Sequence, residues 1–202
     1  MKNIEMDIVF ILDRSGSMSG IESDTIGGYN SYIANQKDKN VLVTTVLFDD
    51  QYEMINNRKH ISEVNKLTNK EYFVRGSTAL LDAIGNTIKF MDKSINKKVI
   101  FIITTDGYEN ASREYNKEQI KELIKGHSKW EFIYVGANID SYEEGRKLGI
   151  KDQNISNYKK DKIGVSKLYD SIERASNMMY NESSIKDNWK DELEDYIKEN
   201  KE

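Results

Sequence analysis

Short, largely apolar runs alternate along this chain with longer stretches in which apolar residues recur every three or four positions. The runs are residues 8–12, 41–48, 99–103 and 132–135. Runs of this length, bounded by polar turns, fit strands buried on both faces of a sheet. Helical spacing appears in residues 22–36 through Ile26, Tyr29 and Ile33, and in 79–91 through Leu81, Ile84, Ile88 and Met91. It recurs in 115–125 through Ile120, Leu123 and Ile124, stopped by Gly126, and in a long helix marked by Val165, Leu168, Ile172, Ala175 and Met179. Residues 51–57 alternate through Tyr52 and Met54, which predicts an antiparallel edge strand joined to 41–48 by the Asp49-Asp50 turn. Residues 62–67 read as a short helix, 154–158 as a last short edge strand, and Asp140 with Glu143 as a capping-box-like start of a short helix ended by Gly149.

Strands and helices alternate without repeats or a Pro/Gly/Ser linker. The expected fold is therefore α/β, a doubly wound (Rossmann-like), mostly parallel sheet with one antiparallel edge strand and helices on both faces. One domain over residues 1–180 is expected. Residues 181–202 should form a C-terminal amphipathic helix carrying Ile185, Trp189, Leu193 and Tyr196, packed on the domain, with its last few charged residues frayed. Gly27-Gly28 inside a helix costs about 1 kcal/mol per glycine relative to alanine, and close packing of that helix on a strand is the expected compensation.

The first run ends in chemistry. Asp13, Ser15 and Ser17 leave the strand at alternate positions, with Gly16 expected to tighten the turn. In an open α/β sheet, ligands bind outside the carboxyl ends of the strands. A carboxylate with two hydroxyls is a hard-oxygen set that suits Mg²⁺ or Mn²⁺, and Ca²⁺ less well. Two further segments supply similar groups. The run 99–103 ends in Thr104-Thr105-Asp106-Gly107, and Gly76-Ser77-Thr78 precedes a helix. Taken singly, each segment is also a helix cap or an ordinary turn.

Taken together, they resemble the von Willebrand factor A domain and its metal-ion-dependent adhesion site, whose signature is DxSxS, then a loop threonine, then an aspartate in a (T/S)DG turn. The corresponding residues are Asp13, Ser15 and Ser17, then Thr78, then Asp106. The flanking text FILDRSGSM, GSTALLDAI and ITTDGYEN is similar to bacterial, stand-alone members. The resemblance covers residues 5–149 and extends toward 180. It implies a protein-interaction module in which the three hydroxyls bind a divalent cation, most readily Mg²⁺, with Asp13 and Asp106 often acting through water. The partner would be another protein offering an Asp or Glu carboxylate. By analogy, such domains act in multi-protein stress and tellurite-resistance systems.

Composition narrows the alternatives. Of 202 residues 32% are charged, and the net charge is -4, which gives no support to a nucleic-acid or membrane partner. There is no cysteine, hence no disulfide framework or thiolate chemistry. The N-terminal apolar run is too short to span a membrane and leads straight into the site, so a cytoplasmic location is expected. No catalytic residue is assigned. A Mg²⁺-dependent phosphatase or phosphotransferase of the haloacid-dehalogenase kind is the alternative, but it needs a second carboxylate where Ser15 stands. A serine hydrolase is not supported: there is no G-x-S-x-G elbow, and neither His60, read as surface, nor His127, read as a helix-end cation, lies near a plausible nucleophile. Asp82 is read as a favourable charge at a helix N-terminus.

Overall fold

The computed structural model describes residues 5–93 and 98–200. Six strands form one sheet in the order β3-β2-β1-β4-β5-β6. They are β1 (Met6–Asp13), β2 (Val41–Phe48), β3 (Tyr52–His60), β4 (Val99–Thr105), β5 (Glu131–Gly136) and β6 (Ile155–Asn157). Only β3 runs antiparallel, against β2. The helices are α1 (Glu22–Asn35), α2 (Leu80–Met91), α3 (Lys117–Gly126), α4 (Ser141–Lys147), α5 (Lys162–Glu182) and α6 (Asp191–Glu199). None is long and apolar enough to cross a membrane.

The central strand shows why the sheet is covered on both sides. Every residue of β1 is buried. Met6, Ile8, Phe10 and Leu12 enter one apolar cluster with Tyr29 and Tyr32 of α1, Val165 to Met179 of α5, and Leu193 of α6. Val9 and Ile11 enter a second cluster with α2, α3 and the β5 residues Phe132 and Tyr134. The side-chain period of two thus sends alternate residues into opposite layers.

Several sequence expectations change. Gly28 does compensate for its helix cost by close packing, but against another helix: a Cβ there would lie 2.1 Å from the Tyr169 ring on α5, and at Gly27 it would meet nothing. Residues 62–67 form no helix; a single 3₁₀ turn, Ile61–Glu63, is followed by extended chain. Strand β3 extends past residue 57 to His60. Its polar end is held by specific pairs: Asn56 Nδ2 donates to Thr45 Oγ1 at 3.2 Å, and Arg58 donates to both Asp7 oxygens at 2.9 and 3.2 Å. The tail is a 3₁₀ turn, Asp187–Lys190, followed by α6 rather than one helix. Ile185, Trp189 and Leu193 join the same apolar cluster as β1, and Trp189 Nε1 donates to Gln153 O at 2.8 Å. Of the charged residues expected to fray, Lys201 and Glu202 lie outside the described residues, and Lys198 and Glu199 are within α6.

At the carboxyl end of β1, Arg14 is fully buried. Its Nε donates to Asp49 Oδ2 at 2.9 Å, and its Nη1 donates to Glu53 at 2.7 Å and to Glu71 O at 3.0 Å. Arg75 Nε reaches the same Asp49 oxygen at 2.8 Å. Burial pushes the Asp49 carboxyl up, but the Arg75 and Gln51 hydrogen bonds and the adjacent Arg14 charge outweigh it and hold it below the usual carboxylate range.

Two predictions follow from this packing. Asp49→Ala leaves the buried Arg14 guanidinium with the half-exposed Glu53 as its remaining counter-charge and should cost about 3 kcal/mol at neutral pH by urea unfolding. Because the folded-state pKa of Asp49 is depressed, its contribution is present above the unfolded-state value and fades as pH falls through the folded one. The deficit of Asp49→Asn should therefore shrink below about pH 4; a deficit that does not change with pH would mean that the charge is not what stabilises the turn. Trp189→Ala should cost about 3–5 kcal/mol in the same assay, since it empties a fully buried site.

Candidate metal centre

Asp13 is the last residue of β1, and Asp106 follows the last residue of β4. The two strands are neighbours, and between them the strand order reverses direction, so both carboxylates sit at the crevice where open α/β sheets receive ligands. Ser15 and Ser17 lie in and just before the 3₁₀ turn Gly16–Met18, and Thr78 lies in the loop that enters α2. All five predicted residues are thus brought to one end of the sheet.

Three hydroxyls converge there. Ser15 Oγ and Ser17 Oγ are 3.0 Å apart. A Cβ built on Gly107 would lie 3.0 Å from Ser17 Oγ, 3.0 Å from Thr78 Oγ1 and 3.9 Å from Ser15 Oγ. The hydroxyls therefore cradle a space against Gly107 that a side chain would crowd. They are not spent on capping: Ser15 makes no side-chain cap bond to its turn, and the residues capping α1 and α2 are Ile21 and Ala79. Gly16 does not adopt the left-handed conformation reserved for glycine, and a Cβ there would make an ordinary 3.5 Å contact with Gly76 O. The tightness expected of it is supplied by hydrogen bonds.

The two carboxylates are held differently. Asp13 accepts from Ser15 N–H at 2.6 Å and from the Thr105 hydroxyl at 2.5 Å. Burial pushes its carboxyl up to about 6, against those hydrogen bonds, with nearby Asp106 adding to the rise. Asp106 is 5% exposed, and among the described residues no backbone N–H or hydroxyl donates to either of its oxygens. The ammonium of Lys160 lies 2.9 Å from Asp106 Oδ2 as an ion pair and donates to Ser17 O. A buried carboxylate that no backbone N–H or hydroxyl answers calls for a cation, and here Lys160 supplies one. Among the described residues no group of three His, Cys, Asp or Glu side chains converges. The donors at this place are hydroxyls and two carboxylates, a set that fits a hard divalent cation.

Around these residues the loops are braided. Gly16 N–H donates to Gly76 O at 3.2 Å, Arg75 N–H to Arg14 O at 3.0 Å, and the Tyr72 hydroxyl to Asp13 O at 2.6 Å. Asn110 Oδ1 accepts from Thr78 N–H at 2.9 Å, while Asn110 N–H and Ala111 N–H donate to Thr78 O. Glu109 accepts from Leu81 N–H at 2.9 Å and from Ser112 N–H at 2.7 Å. Asp82 is in the first turn of α2, as expected, and also accepts backbone N–H bonds from Arg113, Glu114 and Tyr115. The loop after β4 is thereby locked to the first turn of α2, and Thr78 is fixed between them. Sequence reasoning placed Glu109 and Asn110 nearby without a role, and it missed Arg14, Tyr72 and Lys160.

Both histidines are at the other end of the sheet. His60 pairs in register with Leu42 near the start of β2, where its Nδ1 lies 2.7 Å from Ser62 Oγ. His127 follows α3 and precedes β5, with Nδ1 2.7 Å from Leu123 O and Nε2 2.5 Å from Asp92 Oδ1. Neither faces Ser15 or Ser17, and the position two residues after Asp13 carries a hydroxyl that turns toward Ser17.

The comparisons agree with this architecture. The family model for the von Willebrand factor type A domain matches residues 7–184. Among solved structures, the vWF domain of the type V pili tip protein Mfa5 from Porphyromonas gingivalis superposes with a TM-score of 0.64 at 10% identity, covering 91% of this chain and 99% of that one. The PilB minor pilin from Streptococcus sanguinis gives 0.66 at 10% identity, covering 90% of this chain, which spans only 63% of the pilin structure. The pilus adhesin SpaC from Lactobacillus rhamnosus GG gives 0.68 at 12% identity, covering 86% of this chain and 30% of that one. Among curated proteins, none matches in sequence. The sheet order, the single antiparallel strand and the match over most of its length place the chain in the von Willebrand factor type A domain family.

Proposed function

We propose that this domain binds another protein through a divalent cation held by Ser15, Ser17, Thr78, Asp13 and Asp106. The observation that carries the reading is the cradle: three hydroxyls, none of them a helix cap, converge on Gly107 beside a buried carboxylate whose one counter-charge among the described residues is the Lys160 ammonium. Ser15, Ser17 and Thr78 supply neutral oxygens, and the two aspartates balance the charge from the strand ends. Bound there, Mg²⁺ or a similar ion would offer a Lewis-acidic position to an incoming carboxylate, because few anionic ligands quench its charge. The partner is accordingly a protein presenting an exposed Asp or Glu. Asp13 and Thr105 hold each other, and Asn110 holds Thr78, so the protein's share of the site is preorganised.

A calorimetric titration of Mg²⁺ and Mn²⁺ into chelator-stripped protein tests the reading. One saturable site is expected, tightened by acetate or glutamate as a surrogate for the partner's side chain. It should be lost in Asp13→Ala while the far-ultraviolet circular dichroism stays native. Absence of binding, even with the surrogate present, would refute it. Gly107→Ala should fold normally but weaken the metal by about 10- to 100-fold, the range seen when groups supporting a metal's ligands are disturbed. Unchanged affinity in that variant would mean that the hydroxyls facing Gly107 are not the ligands.

A further inference from the structure

Lys160 stands between β6 and α5, in the charged run Lys159-Lys160-Asp161-Lys162. Its side chain is 21% exposed, and the Asp106 side chain it faces is 1% exposed. The ammonium spans the site from one wall to the other, pairing with Asp106 Oδ2 at 2.9 Å and donating to the carbonyl of Ser17. Among the described residues, no other cationic side chain pairs with Asp106. The lysine thus supplies the positive charge that a buried carboxylate requires when no backbone N–H or hydroxyl answers it.

The loop that carries Lys160 is tied at both ends. Tyr158 N–H donates to Gly136 O at 2.9 Å. Asp161 caps α5 by accepting from Gly164 N–H at 2.7 Å, and the Tyr196 hydroxyl of α6 donates to the same carboxylate at 3.1–3.2 Å. Lys159 Nζ donates to Asn200 O at 3.3 Å. The residues flanking Lys160 are therefore in hydrogen-bond contact with the C-terminal helix.

We propose that Lys160 is a tethered cation that competes with the divalent metal for Asp106, so that metal loading expels its ammonium and releases residues 159–161 from the site. The inference rests on the metal reading above. A divalent ion that uses Asp106 and an ammonium 2.9 Å from one oxygen of the same carboxylate repel each other, so each weakens the other's hold on that buried group. By linkage, whatever draws Lys160 away tightens the metal, and the metal makes Lys160 available to solvent. The link through Asp161 and Tyr196 places the C-terminal helix where it senses that exchange.

The test compares wild type, Lys160→Met and Lys160→Arg by calorimetric titration of Mn²⁺ and Mg²⁺ into the chelator-stripped full chain. In parallel, amine-reactive labelling of the wild-type protein, read peptide by peptide by mass spectrometry, is carried out with and without Mn²⁺. Lys160→Met should bind Mn²⁺ about tenfold more tightly, within the usual span of coupling between sites, and Lys160→Arg should not. Labelling of Lys160 should rise when Mn²⁺ is added. Wild-type binding with equal or weaker affinity in Lys160→Met, or labelling that Mn²⁺ leaves unchanged, would overturn the role of Lys160 and leave the metal site standing. Absence of metal binding in wild type and Lys160→Met alike would remove both.

Discussion

Two carboxylates at the ends of adjacent buried strands, Asp13 and Asp106, set the terms for the rest of this molecule. Two negative groups in a crevice walled by apolar strands are costly unless donors or cations answer them. Asp13 is answered by a backbone N–H and a threonine hydroxyl, yet burial still lifts its carboxyl to about 6. Among the described residues, Asp106 is answered by a single cation, a lysine from a distant loop. Two buried carboxylates at one point, with hydroxyls free of capping duty around them, are the electrostatic feature on which the proposed cation site rests.

Keeping that point in place falls to groups that never face it. Arg14 is the residue between Asp13 and Ser15, but its side chain turns away from the crevice and ties β1 to the β2–β3 turn and to the chain at Glu71. Asp82 and Glu109 each gather several backbone N–H groups across the contact between α2 and the loop after β4. The strand ends are rigid because they are sheet; the loops are rigid because acidic and amide side chains replace the sheet's ladder with one of their own.

The parts legible in the sequence were those written locally. Apolar runs marked β1, β2, β4 and β5, and periodic spacing marked α1, α2, α3 and α5, because burial in two layers leaves that imprint residue by residue. That Asp13, Ser15, Ser17, Thr78 and Asp106 would come together could be read because each falls at a strand or loop end. The polar half of β3 could not, since its pairing depends on Asp7 and Thr45, which lie on other strands. Arg14 looked like an arbitrary spacer, as its partners are 35 to 57 positions away. Lys160 looked like one more solvated charge in a charged run; nothing in its neighbourhood says that the fold returns it to Asp106. Gly28 carried a signal of close approach but not the identity of what approaches, which the topology decided when it laid α5 across α1.

The tail has one more consequence, for the open side of the sheet. Strand β6 is only three residues long and ends the sheet, so its outer carbonyls would be free to recruit a strand from another molecule. Lys190, 6% exposed, donates to Ile155 O at 2.8 Å and to Asp152 O at 3.0 Å, while Trp189 reaches Gln153 O. The last turns of the chain thus act as a cover strip over a sticky seam, and their removal would turn that border of the sheet into a template for self-association.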